Sequence, residues 1–106
     1  MENERSLVVF EKHGIRRVYD EKSETWFFSV IDVVGALTDS ANPRDYWFKM
    51  KIRVKTEDGF ELSTICRQLK LKAPDGKMRE TDCANVEGLF RIIQSIPSPK
   101  AEPFKQ

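Results

Sequence analysis

The chain has 106 residues, 40% of them hydrophobic and 33% charged, with a formal net charge of +1. That length suits one domain with a modest core, and no apolar run approaches the roughly 20 residues of a membrane span. The acidic opening MENERSLVVF carries too short an apolar patch for a signal peptide, and one histidine (His13) with two cysteines outside any CxxC cannot complete a zinc set.

The first predicted element is a hairpin: LVVFE (7–11), a turn at Gly14, then IRRVY (15–19). The polar DEKSE (20–24) turns the chain again, and TWFFS (25–29) is a β-prone aromatic strand. Ser29 followed by Asp32 has the pattern of an N-cap with an acidic third residue, so a short helix follows through VIDVVGAL. Asn42 caps and Pro43 opens a helix over 43–55 that turns Tyr46, Trp47, Met50 and Val54 toward a core, and TEDG (56–59) ends it.

The stretch FELSTICRQL (60–69) is ambiguous and is read as a short helix from Ser63. LKLK, APDG and KMRET (69–81) give a second hairpin, with alternation on both sides of a Pro-Asp-Gly turn. In the unbulged register Leu69, Leu71 and Met78 share a face. Lys72 then faces Lys77 and Lys70 faces Arg79, whereas a bulge at Gly76 would shift the pairing by one. The last helix, 85–96, carries the stripe Leu89, Ile92, Ile93 and Ile96, and Pro97 stops it. Two segments, FFSVIDVVGAL…NPRDYWFKM and MRETDCA…NVEGLFRII, echo one another faintly as strand, capped short helix and Asn-capped longer helix.

No serine sits in a GxSxG context, no glycine-rich loop follows a strand, and the carboxylates are interleaved with bases, which argues against catalysis. Cys66 and Cys83 read as small core residues in a reducing compartment. The charge distribution is more informative. Residues 44–79 hold ten Lys and Arg against five Asp and Glu, while the flanking segments are net acidic. Arg44, Lys49, Lys51, Arg53, Arg67, Lys70, Lys72, Lys77 and Arg79 are therefore candidate phosphate contacts, with Arg16, Arg17, Tyr46 and Trp47 as possible additions. A solvated basic surface with core aromatics accounts for the same residues. Lys49/Arg53 and Lys51/Lys55 are like-charged i,i+4 neighbours that such a zone has to tolerate.

The segments WFFSVIDVVGALTDSANPRDYW, LKLKAPDGKMRETDCAN and RIIQSIPSPKAEPFKQ, taken in order, closely resemble the Bro-N domain, which opens BRO proteins of viruses and many prophage antirepressors. The likeness spans about residues 7–106. It implies an α+β fold of β-hairpins packed with three to four short helices in a single domain. It further implies a non-catalytic DNA-binding module with a regulatory role, similar to that of KilA-N domains, and no cofactor. DNA is the expected partner, a repressor protein the alternative, and self-association is open. The expected setting is cytoplasmic, bacterial and prophage-encoded rather than viral. A core over 7–96 is expected, with 97–106 the start of a linker or further helix of a longer protein. The family supplies no residue-level contact map, so the candidate residues rest on the basic zone alone.

Overall fold

The computed structural model describes residues 14–105. The expected strand over 7–11 and His13 lie outside them. Four strands and three helices follow in chain order: β1 (Arg17–Asp20), β2 (Thr25–Ser29), α1 (Val30–Leu37), α2 (Pro43–Asp58), β3 (Arg67–Lys72), β4 (Met78–Ala84) and α3 (Val86–Gln94). The class is α+β, as expected. Among the described residues the sheet is antiparallel with the order β1-β2-β4-β3, so each hairpin contributes one inner and one edge strand.

Local chemistry accounts for most boundaries. The Ser29 hydroxyl accepts from the Asp32 N–H at 3.4 Å, Asn42 from Asp45 at 3.1 Å and Asn85 from Gly88 at 2.8 Å, one cap for each helix. Gly59, at φ +71°, closes α2 in the left-handed region and donates its N–H to the Lys55 carbonyl. The segment read as a helix from Ser63 is instead a single 3-10 turn, Leu62–Ile65, and Arg67 already pairs with Cys83. The ladder to β4 captures residues 67–69, a long-range gain that a local reading cannot see. Glu102–Phe104 forms another 3-10 turn.

The main core fills the space between one sheet face and the helices. Phe28 and Ala84 meet Val30, Val33, Val34, Trp47, Met50, Val54, Leu62, Leu89, Ile92 and Ile96 there, all buried. Each of the buried Val, Leu, Ile, Phe and Met side chains contributes about 1.5–3 kcal/mol. A smaller cluster on the opposite face joins Phe27, Leu71 and Cys83, with Val18 and Leu69 against it. The faint echo in the sequence is not reproduced element for element, because no short helix stands between β4 and α3. β2 leads through its cap into α1 and β4 through its cap into α3, and the two strands pair at Phe28↔Ala84 and Ser29↔Cys83.

The two edge strands are drawn toward each other by arginines. Arg16 donates through Nη1 to the Lys72 carbonyl at 3.1 Å, and Arg67 bridges to Asp20 at 3.3 Å while stacking on Phe27. The sheet therefore curls, with β3 brought against the ends of β1.

Candidate nucleic-acid interface

The β3–β4 hairpin carries the densest part of the basic zone, and its turn decides where that charge points. Ala73 donates to the Lys77 carbonyl at 2.8 Å, leaving Pro74, Asp75 and Gly76 as a three-residue loop. Gly76 has φ +87° and supplies the left-handed residue such a loop needs, while Asp75 accepts from the Lys77 N–H. The extra residue shifts the register by one from the unbulged expectation. Lys72 pairs with Met78, Leu71 with Arg79, Lys70 with Glu80 and Leu69 with Thr81. The expected like-charged pairs Lys72–Lys77 and Lys70–Arg79 do not form. Met78 leaves the face of Leu69 and Leu71 and is 59% exposed, and buried Thr81 takes the place opposite Leu69.

The helix cations are mostly answered by carboxylates. Lys49 bridges to Asp45 at 3.1 Å, Arg53 lies 3.9 Å from Glu57 and Lys55 lies 3.5 Å from Glu61. Arg53 also donates to the Ser95 carbonyl at 2.8 Å. The like charge along α2 is thus relieved by acids on its own turns and on the following loop. The exposed bridges among these are worth about 0–1 kcal/mol each, so Lys49 and Lys55 can exchange partners at little cost.

Lys51 is held more firmly. Asp82 accepts from the Trp47 indole at 2.8 Å, the Gln68 amide at 2.9 Å and Lys51 at 3.4 Å. Burial pushes the Asp82 carboxyl up, but these bonds and the Lys51 charge outweigh it and leave the group below its ordinary value. Trp47 is accordingly a core aromatic that ties α2 to the sheet, and Tyr46 packs half-buried on the same core.

Arg16, Arg67 and Arg79 also have internal duties. The Arg16 guanidinium meets both Asp32 oxygens, at 2.7 and 3.0 Å, as well as the Ser29 hydroxyl at 3.3 Å. Arg67 is the one on Asp20 and Phe27, and Arg79 bridges to Asp75 in the turn. Arg17 lies 5.0 Å over the exposed Trp26 ring. Arg17 is exposed with only the Trp26 ring as a partner, whereas among the described candidates Arg44, Lys70, Lys72 and Lys77 are exposed and have no hydrogen-bond, ion-pair or ring partner at their side chains.

These four sit on neighbouring elements. Pro43, next to Arg44 at the start of α2, lines one open groove of about 700 Å³ together with Lys72, Ala73 and Pro74. The Arg16–Asp32 pair lies along the same groove. What the sequence reading missed is the exposed end of the hairpin's helix-side face, where Met78 and Glu80 join Lys70 and Lys72 beyond Asp82 and Ala84. The turn glycine was the available signal for it.

Neither thiol belongs to a reactive arrangement. Burial pushes Cys66 up to about 12 and Cys83 up to about 11. Among the described residues no group of His, Cys, Asp and Glu could hold a metal ion, and no helix is long and apolar enough to cross a membrane.

The model of the family described as BRO family, N-terminal domain, matches residues 14–106. No curated protein and no solved structure matches.

Proposed function

The chain belongs to the BRO family by its N-terminal domain, and from that premise we propose that it is the non-catalytic DNA-binding module of a phage- or prophage-type regulator of the antirepressor kind, working in the cytoplasm. The observation that carries this reading is the set of four unpaired, exposed cations, Arg44, Lys70, Lys72 and Lys77, on adjoining elements of a near-neutral domain. Unanswered cations of this kind suit phosphate, because binding releases the counterions condensed on the duplex. Lys49 and Lys55 join them by giving up exposed bridges. Lys51, Arg53, Arg67, Arg79 and Arg16 serve mainly to hold the elements in place.

Four phosphate contacts imply that log K falls against log salt with a slope of about −3.6, and six imply about −5. Fluorescence anisotropy of the chain with a mixed-sequence labelled duplex measures this directly. The double variant Lys72→Glu, Lys77→Glu is expected to weaken binding to every duplex alike. Unchanged affinity in that variant, or silence at low salt, overturns the assignment.

A second reading has its own support. Phe48 and Ile52 are 58% and 52% exposed on the outward side of α2, beside Lys55 and Leu62. Such a face suits a protein partner, a repressor or a second copy. Phe48→Ala, Ile52→Ala would then abolish partner binding or self-association and leave the salt slope on DNA intact.

A further inference from the structure

We infer that the outer part of the β3–β4 hairpin enters the DNA major groove as a two-stranded ribbon, with Lys70, Lys72, Met78 and Glu80 turned to the base edges. This rests on the DNA-binding reading above and goes beyond phosphate contact to the reading of sequence. Pairing between β2 and β4 stops at Ser29↔Cys83, whereas the β3–β4 ladder continues to Lys72↔Met78. Over Leu69↔Thr81 to Lys72↔Met78, β4 has no second strand beside it among the described residues, so the unit there is a ribbon two strands wide. The major groove admits a ribbon of that width.

The ribbon is two-faced. Leu71 and Thr81 are buried and Leu69 is half-buried on one side, where exposed Arg79, opposite Leu71, is held by Asp75 of the turn. The other side presents Lys70, Lys72, Met78 and Glu80, all exposed. The hydrogen bond from Arg16 to the Lys72 carbonyl and the closed loop at Ala73–Lys77 fix the direction of this face.

Glu80 is the decisive residue. It stands directly opposite Lys70, yet the two make no ion pair. On a surface that only grips phosphates a carboxylate there is repulsive. In the groove it has a use, since a carboxylate accepts from the cytosine amino group, a lysine donates to guanine and an apolar side chain contacts the thymine methyl. One acceptor, two donors and one apolar contact on one face can distinguish base pairs.

The test is selection from a randomised duplex pool, followed by anisotropy on the enriched and on a mixed-sequence duplex. The full chain is compared with Glu80→Ala, Met78→Ala and Lys72→Met, with Arg44→Ala as a phosphate-only control. Far-UV circular dichroism checks that each variant is folded. The expected result is an enriched motif whose preference over mixed sequence falls about 5- to 150-fold in Glu80→Ala. Binding of the same variant to mixed sequence holds or tightens, because a negative charge has gone. Arg44→Ala weakens both duplexes equally. An enriched motif that survives all three hairpin variants overturns the ribbon and leaves the DNA-binding reading standing, as does salt-dependent binding with no motif enriched. Absence of any duplex binding at low salt overturns both.

Discussion

Replacing Arg16 with methionine tests the idea that this residue serves the fold rather than the ligand. The substitution keeps most of the apolar stem and removes the guanidinium. Lost with it are the two-point contact to Asp32, the bond to the Ser29 hydroxyl and the bond to the Lys72 carbonyl. The Arg16 and Asp32 side chains are only 28% and 21% exposed. Exposed pairs are worth about 0–1 kcal/mol, and breaking a fully buried pair costs about 3–5 kcal/mol. The intermediate burial sets the expected loss at about 2 kcal/mol. For a chain of this size that lowers the melting temperature by about 10 °C. Urea unfolding followed by tryptophan fluorescence and by circular dichroism measures it, with Arg17→Met as an exposed control of smaller effect. Because the Arg16 guanidinium is turned inward, the salt slope on DNA should not change. A loss below about 0.5 kcal/mol, no greater than that of Arg17→Met, refutes the structural role. A slope reduced by about one unit instead makes Arg16 a phosphate contact.

Gly76→Ala adds a Cβ that meets nothing within 4 Å, so its cost is the positive φ alone, about 1 kcal/mol by chemical unfolding, with the turn amides shifted in NMR spectra. Trp47→Phe keeps the ring buried but withdraws a donor from Asp82, for a loss of about 1–2 kcal/mol in the same unfolding assay. The Asp82 carboxyl lies below its ordinary value, so its contribution is complete above about pH 3.9 and is lost as the pH falls through the lower folded value. Asp82→Asn should therefore be less stable than the parent at neutral pH and should lose less on acidification below that point, as read from unfolding midpoints across pH. Both cysteines should resist a thiol reagent at pH 8 in the folded chain and react promptly in denaturant, since burial keeps Cys66 and Cys83 protonated. Fast labelling of the native chain would contradict the packing around β4.

Much of the architecture was legible in the residues because it depends on chemistry within a few positions. Ser29, Asn42 and Asn85 announce their helices through hydrogen bonds to an amide three residues on, and Gly59 ends α2 by adopting a backbone other residues avoid. The apolar spacing of Trp47, Met50 and Val54 selects the buried side of α2 for the same local reason. The concentration of charge in residues 44–79 was likewise visible from composition.

Partnership over distance was not visible. Alternation in LKLK and KMRET fits two registers, and the choice fell to Gly76, which admits a third loop residue and moves Met78 outward. The apolar pattern favoured the other register because it could not show that Arg79, not Met78, would stand opposite Leu71 and that Thr81, not Glu80, would stand opposite Leu69. Nor could it show that β4 would draw Arg67 into a strand. Which cations remain free was also a tertiary matter. Lys51 finds Asp82 31 positions away, Arg67 finds Asp20 47 positions away, and Arg16 reaches the Lys72 carbonyl 56 positions away. The sequence by itself determined the three helices with their caps, most of the strands and the supply of positive charge, since those follow from near neighbours. Only the packed sheet decided which cations are spent inside the fold and which still face outward, because an ion pair needs both partners brought within about 4 Å and chain order does not reveal that distance.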